Sequence, residues 1–362
     1  MKRKALAGLM TIALVIALGA CAAQPPATAT PAAPAAPGAP AAPEAEAPAP
    51  QFSPGQFTIR IATVVTGEHS WIDMAHFIQE ELESRSDGAI EVLFFPGGQL
   101  GNDEATIDDM RLGTLCMVIG GVTNAAPFVP QYTVLNLPYL FTDRDQYESL
   151  LVGGGPVFNY IQRQYEEKGL RLILLGLHDG GGRNIKSNRP INSVSDMRGL
   201  SMRVAAAITE NIIWSSVGAL PIPMGFNDIY TAMQSGMIDL FEVTLAAYHG
   251  SALFEVAPYI TLTEHQFTTS HVTFSELAYN RLPPEFQQML REVAEEASRL
   301  GSQLARQRDA ALLDVLIEEH GVTVITGIDI AEFQALVQPL HPELVSEVNG
   351  EYLLQLIMDT IN

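Results

Sequence analysis

Cysteine is almost absent from this 362-residue chain, which carries only Cys21 and Cys116. No disulfide framework follows from so few, so the stability of any fold must come from its packed core. Positive charge is also scarce: 20 Lys and Arg stand against 41 Asp and Glu, for a formal net charge of −21. Surfaces that bind nucleic acid or anionic lipid are basic, and this composition suits neither. An anionic small ligand would need arginines focused in a cleft. Signatures of catalysis are missing as well. There is no HExxH, CxxC, GxSxG or GxGxxG, and no two histidines lie three or four residues apart as ligands on one helix face. His178 and Asp179 are adjacent, but neighbours on a strand face opposite ways and cannot orient each other as a dyad. His178 therefore reads as a satisfied loop or hinge histidine, and no metal, no cofactor and no enzymatic activity is expected.

What is present begins with an export signal over residues 1–20. Lys2-Arg3-Lys4 precedes an apolar run from Ala5 to Leu18, shorter than the roughly 20 residues of a membrane span. It ends in Leu18-Gly19-Ala20-Cys21, which resembles a bacterial lipobox. That resemblance implies cleavage before Cys21, lipidation of its sulfur and anchoring to the extracytoplasmic side of the membrane bilayer. Removing Lys2, Arg3 and Lys4 takes the formal charge from −21 to −24. Residues 21–54 are mostly Ala and Pro, unable to bury a core, and read as a tether. Cys116 is then left to pack as a small apolar side chain.

Beyond the tether, about 308 residues suffice for two lobes at roughly 150 per domain. Residues 57–65 alternate as a strand, Trp71, Ala75, Ile78 and Leu82 mark a helix, and residues 90–95 form a second strand. This is a βαβ unit. A helix is predicted over 106–112, a strand over 115–119, a helix over 147–168 and a strand over 170–177. Gly180, Gly181 and Gly182 would break that strand as a hinge or a loop. Ser193 and Asp196 form a capping box before residue 199. Asn227 is placed as the N-cap of a helix over 228–235. A further strand is predicted over 238–243. Residues 284–319 read as one helix with a stripe of Phe286, Leu290, Val293, Ala297, Leu300, Leu304, Ala311 and Val315, about 50 Å long.

The stretch 183–230 organises the rest. Its strand, Leu200-Ser-Met-Arg-Val204, leads to a helical pattern two residues on, the arrangement that opens a crevice in α/β folds. Arg203 offers a planar fork suited to a carboxylate. On the strand alone, an ordinary edge arginine, solvated or paired with an Asp, is the plainer reading. The surrounding text changes that. SNRPI, DMRGLSMRV and GALPIPMGFNDIYTAMQSGMID, with FFPGGQLGND and LPYLF before them and LPPEFQQML after, resemble in order and spacing the DctP-family solute receptors of tripartite ATP-independent periplasmic (TRAP) transporters.

The resemblance implies a two-lobed α/β fold of the type II periplasmic-binding-protein kind, with a hinge and a long helix spanning both lobes. Lobe I would comprise 55–180 plus 269–308, and lobe II 181–268 plus 309–362. The protein would receive a small organic carboxylate and deliver it to the small and large TRAP permease subunits. Arg203 would clamp the carboxylate, Arg183 would back it, and Phe226 would wall the pocket. Asp103, Gly121 and Trp71 complete the expected lining, with Glu242 and Val243. Two departures bear on the ligand. Where the family usually carries Gln-Glu-Asn-Pro, this chain has Phe241-Glu242-Val243-Thr244, and Gly121 stands where some sugar-acid binders carry a glutamate. Both remove polar partners, so an apolar-bodied monocarboxylate such as a branched 2-oxo acid is expected ahead of C4-dicarboxylates and sugar acids. A sensor of the same fold and a surface-anchored hydrolase are the alternatives. The hydrolase would need a nucleophile–base pair or metal set that cannot be assembled here.

Replacing Cys21 tests the lipobox. Cys21→Ser is expected to shift the protein from the membrane to the soluble exported fraction on cell fractionation, because stable anchoring needs two acyl chains. Retention at the membrane would mean that the apolar segment itself is the anchor.

Overall fold

The computed structural model describes residues 52–361. The signal over 1–20, Cys21 and nearly all of the tether lie outside the described residues. In chain order the elements begin β1 (Phe57–Ala62), α1 (Ser70–Arg85), β2 (Ile90–Phe95), α2 (Asp103–Leu112), β3 (Met117–Gly121), α3 (Val122–Ala125), α4 (Tyr132–Leu135), α5 (Arg144–Leu150) and α6 (Pro156–Glu167). There follow β4 (Leu172–Ser187), β5 (Ser201–Val204), α7 (Ile208–Ser216), β6 (Leu220–Pro223), α8 (Ile229–Gln234), β7 (Leu240–Thr244), α9 (Leu245–Gly250) and β8 (Tyr259–Ser275). The chain ends in α10 (Glu276–Tyr279), α11 (Pro284–Glu318), β9 (Thr323–Ile325), α12 (Ile330–Val337), α13 (His341–Glu347) and α14 (Glu351–Ile361).

The strands make one mixed sheet in the order β2-β1-β3-β8-β4-β7-β5-β6, with β9 added to β8. It has two parallel wings. In the first, β1 pairs with β2 and β3; in the second, β5 pairs with β6 and β7. The long strands β4 and β8 lie antiparallel between them and belong to both wings. Beginning β4 and ending β8 serve the first wing, and their other halves serve the second. This is the expected α/β architecture.

The glycine triplet does not end β4. The strand runs through it as a bulge: Asp179 faces Thr269 and Gly182 faces Phe267, leaving Gly180 and Gly181 opposite Thr268 alone. Gly181 takes φ +107°, a conformation that a β-carbon would strain. Side chains hold the bulge from outside. Asp179 Oδ1 accepts the Gly181 N–H at 2.7 Å, and Asp309 Oδ2 on α11 accepts the Gly182 N–H at 2.9 Å. Arg144 bridges the two carboxylates at 2.5 and 2.9 Å. Backbone pairing thus persists because the Gly181 and Gly182 N–H groups each meet a carboxylate.

Helix α11 packs on β4, on α1 of the first wing and on α9 of the second. Its N-terminal half joins the core around Ile61, Met74 and Ile78, and Leu312 and Leu316 join Phe241 and Tyr248. The expected stripe holds as far as Ala297 and then moves by one residue, to Gly301, Ala305, Leu312 and Leu316. Gly301 explains the shift: a β-carbon there would lie 2.3 Å from Met74 Sδ and 2.9 Å from the His178 ring, so the bare face turns inward. The opposite side of the sheet is covered by a third cluster that includes Tyr132, Leu174, Met202, Trp214 and Phe333. Each large side chain fully buried in these clusters contributes about 1.5–3 kcal/mol.

Other expectations need correction. Residues 147–168 are two helices, because Gly153, Gly154 and Gly155 interrupt them and Pro156 restarts the second at its first turn. Asn227 is no cap; it lies in a 3₁₀ turn over Phe226–Asp228, and its amide reaches the carbonyls of Val64 and Gly97. In the C-terminal segment, α12 packs on α7 whereas α14 packs on α5 and α6. His178 is not satisfied. It is fully buried, and neither ring nitrogen has a hydrogen-bond partner among the described residues. Burial pushes its pKa down to about 3, with His271 and His69 adding to the effect, and an uncharged ring costs far less there than a cation.

The contact between β4 and α11 can be tested at Gly176, where an added β-carbon would fall 2.0 Å from Ser298 Oγ and 3.5 Å from the Ala294 carbonyl. Gly176→Val is expected to cost about 1–3 kcal/mol of stability through overpacking, read as a lowered melting temperature by scanning calorimetry. An unchanged melting temperature would show that strand and helix can separate freely at this point.

Candidate functional site

The parallel strands of the two wings direct their C-terminal ends at one crevice, the place where open α/β sheets bind ligands. Val64, Val65 and His69 follow β1, Gly121, Thr123 and Asn124 end or follow β3, Ala205 follows β5, and Thr244 and Ala247 end or follow β7. Trp71, Arg183, Arg203, Phe226, Val243, Gly180 and Thr268 complete the lining of about 500 Å³ of space, part of it open to solvent. Six of the eight residues singled out from the sequence, Arg203, Arg183, Phe226, Gly121, Val243 and Trp71, face this cavity. Asp103 and Glu242 stand a layer behind it.

The two arginines are in different electrical states. Arg183 is locked: its Nε and Nη2 donate to the Glu242 carboxylate, Nη2 also reaches the Glu242 carbonyl at 2.9 Å, and Nη1 lies 3.4 Å from Thr268 Oγ1. Burial alone would raise the Glu242 pKa, yet Arg183 and His265 together hold it down at about 2. Arg203 is only 2% exposed. Its Nε donates to the Met224 carbonyl at 3.1 Å, Nη2 has no partner, and it makes no salt bridge among the described residues. Burial lowers its pKa to about 10, which leaves it charged at neutral pH. A buried guanidinium with unused donors is costly unless an anion meets it.

Asp103 opens α2 and is held by Asn124, whose Nδ2 donates to Oδ2 at 2.9 Å. Asn124 itself lines the cavity, so it couples the carboxylate to that space. Burial pushes the Asp103 pKa up to about 6 against the pull of Arg203. Glu210, on the first turn of α7, accepts the Trp214 indole N–H at 3.0 Å. Burial and the Glu242 charge raise it to about 7. Lys186 is also fully buried, donating to the carbonyls of Asn184 and Val243, and burial depresses it to about 7.

The cavity is richer in polar groups than its sequence suggests. The Trp71 indole N–H is used on Ser270 at 3.1 Å, and the Thr123 hydroxyl accepts from Asn136 at 2.8 Å, leaving its proton available. With His69, Asn124, Thr244 and Thr268 these groups overturn the premise that the site is short of donors and acceptors. Val243 is apolar as expected, but its neighbours are not. Gly121 has only ordinary contacts around an added β-carbon, 3.7 Å from Trp71 and 4.0 Å from Thr268. Among the described residues, no group of three or more His, Cys, Asp or Glu is placed to hold a metal ion.

A model of the family described as bacterial extracellular solute-binding protein, family 7 (DctP), matches residues 61–347. The 2,3-diketo-L-gulonate-binding periplasmic protein YiaO of Escherichia coli (strain K12) is 30% identical over 297 residues, spanning 80% of this chain and 89% of YiaO. A TRAP periplasmic solute-binding protein from Roseobacter denitrificans OCh 114, solved with bound L-galactonate, is 28% identical with a TM-score of 0.77 and covers 86% of this chain and 100% of that one. Another from Xanthobacter autotrophicus Py2, solved with bound β-D-galacturonate, is 27% identical with a TM-score of 0.76, covering 84% and 99%.

The buried carboxyl behind the cavity carries a pH signature. Glu210 titrates near 7 in the folded state and near 4.5 unfolded. Between those values the folded chain binds the extra proton, so this group's contribution to stability is full below about pH 4.5 and is lost as pH rises through about 7. Glu210→Gln removes that loss. The melting temperature of the variant relative to wild type is expected to rise from pH 5 to pH 7.5; a difference independent of pH would show that Glu210 is ionised throughout.

Proposed function

The chain belongs to the DctP family, family 7 of the bacterial extracellular solute-binding proteins, a non-enzymatic family, and from that premise we propose that it receives a sugar acid between two lobes and hands it to TRAP membrane subunits. One observation carries the reading. Arg203 brings a buried guanidinium with an unpaired Nη2 to the cavity wall, while Arg183 beside it is already neutralised by Glu242. One carboxylate balances the site, accepted by Arg203 in a bidentate fork. The surrounding Thr123, Asn124, Thr244 and Thr268 suit hydroxyls, which an apolar-bodied acid would leave unanswered.

The galactonate and galacturonate bound by structural relatives favour this over a branched 2-oxo acid. Lobe closure would turn on the bulge over Gly180 to Arg183 and on Thr268 opposite, and lipidation at Cys21 would keep the receptor at the membrane for delivery to the small and large permease subunits.

Isothermal titration of the mature protein with D-galacturonate, succinate and 4-methyl-2-oxopentanoate tests the ligand class. Galacturonate is expected to bind tightest, and tighter binding of either other acid would overturn the sugar-acid reading. Arg203→Lys keeps the charge but loses the fork. It is expected to weaken galacturonate binding about 10- to 100-fold, equivalent to about 1.5–3 kcal/mol, with the melting temperature little changed. Binding within a few-fold of wild type would remove Arg203 as the clamp.

A further inference from the structure

His69 is the cavity residue whose chemistry the clamp leaves unexplained. It precedes α1 and is 2% exposed. Its Nδ1 accepts the Trp71 backbone N–H at 3.2 Å, the part that an Asn or Ser side chain plays at most helix starts. An imidazole nitrogen that accepts a hydrogen bond carries no proton, so the ring is neutral and its one proton is on Nε2. No residue among those described accepts from that Nε2, and the side chain lines the cavity. The ring is also fixed. Trp71 packs edge-on against it at 4.7 Å between centroids, and the backbone bond to Nδ1 forbids a flip without losing the cap.

The surroundings keep the ring uncharged. Burial, assisted by the charge of Arg308 on α11, pushes its pKa down to about 3. Arg308 is itself paired with Asp73 of α1 at 2.7 Å, and the other titratable neighbour, His178 of β4, is neutral in its turn. Arg308 remains a cation, with a buried Nη1 that has no hydrogen-bond partner among the described residues, but it does not line the cavity. Among the lining residues, Arg203 is the one guanidinium without a carboxylate partner.

We propose that His69 is a fixed, neutral hydrogen-bond donor that reads an uncharged oxygen of the ligand, a hydroxyl or carbonyl, and so selects hydroxylated monocarboxylates over dicarboxylates. The inference rests on the reading of the cavity as a carboxylate site. A second carboxylate reaching His69 would be buried against a neutral N–H, with Arg203 already engaged and no other unpaired cation in the cavity lining, which costs more than the hydrogen bond returns. A hydroxyl or carbonyl oxygen satisfies the donor at no such cost.

The test combines variants with ligand analogues. Wild type, His69→Asn and His69→Gln, each checked for an unchanged melting temperature, are titrated calorimetrically with D-galacturonate, with each of its monodeoxy analogues and with succinate. Asn retains the cap, and Gln retains both a cap acceptor and a longer amide donor. His69→Asn is expected to weaken galacturonate about tenfold and His69→Gln by less. For one monodeoxy analogue the variant and wild type should bind alike, because the oxygen that His69 reads is already gone. Succinate should gain on galacturonate in His69→Asn. An equal loss for every analogue would reveal a merely structural role, and an unchanged galacturonate affinity would remove the donor altogether; either outcome overturns the proposal. Should either variant fail to fold, the other decides by the same comparison. If wild type binds no hydroxylated acid, the underlying reading falls and the inference with it, a result distinct from both of the others.

Discussion

One buried ion pair sets the electrical state of the site. Glu242 holds Arg183 from one side, and so the positive charge that remains on the cavity wall is that of Arg203. Were Glu242 absent, two guanidinium groups would face the same space and repel each other across a low-dielectric wall. Were Arg183 absent, Glu242 would be a buried unpaired carboxylate able to capture Arg203 for itself. The pair therefore does more than stabilise. It leaves Arg203 as the guanidinium without a carboxylate partner in a space where Arg183, Arg203 and Lys186 come close together. Glu210 and Asp103, both pushed upward by burial, form a softer outer layer around that space.

The geometry of the pair depends in turn on β4. Arg183 follows directly on the bulge, and its register opposite Thr244 of β7 and Gln266 of β8 places the guanidinium beside Glu242. The bulge survives because Asp179 and Asp309 answer its loose N–H groups and Arg144 neutralises both carboxylates. Through Asp309, helix α11 is bonded to the backbone one residue before Arg183. A rigid rod that touches both wings thus also holds the one irregular point between them.

Much of this is legible in the sequence. The alternation and helical spacing that mark β1, α1, β2 and α11 are periodic signals, and periodic signals survive tertiary packing. The position of Arg203 at the end of a strand that precedes a helix was enough, with its neighbouring motifs, to single it out. The failures have separate physical causes. Glycine reads as a breaker, yet Gly180 and Gly181 continue a strand because carboxylates from elsewhere satisfy the bulge. Asn227 looks like a cap, but its amide is spent on carbonyls that only the folded chain brings near. The polar character of the cavity lies not in Gly121 and Val243 but in residues at or just after the ends of the strands. Thr123, Asn124 and Thr244 all occupy such places and could have been found by that rule alone. His69 could not, since a lone histidine before a helix has no spacing to betray its tautomer.

The sharing of β4 and β8 between both wings has a consequence for the order of assembly. β3 ends at Gly121, and its partner in β8 lies about 150 residues later in the chain. The first wing cannot complete its sheet, nor can β4 gain its inner neighbour, until residues 259–275 have been made. Pairings of such sequence separation close slowly, because the loop entropy is spent before the contacts form. The segments β2-β1-β3 and β4-β7-β5-β6 can therefore be joined into one sheet only once the last third of the chain has been made.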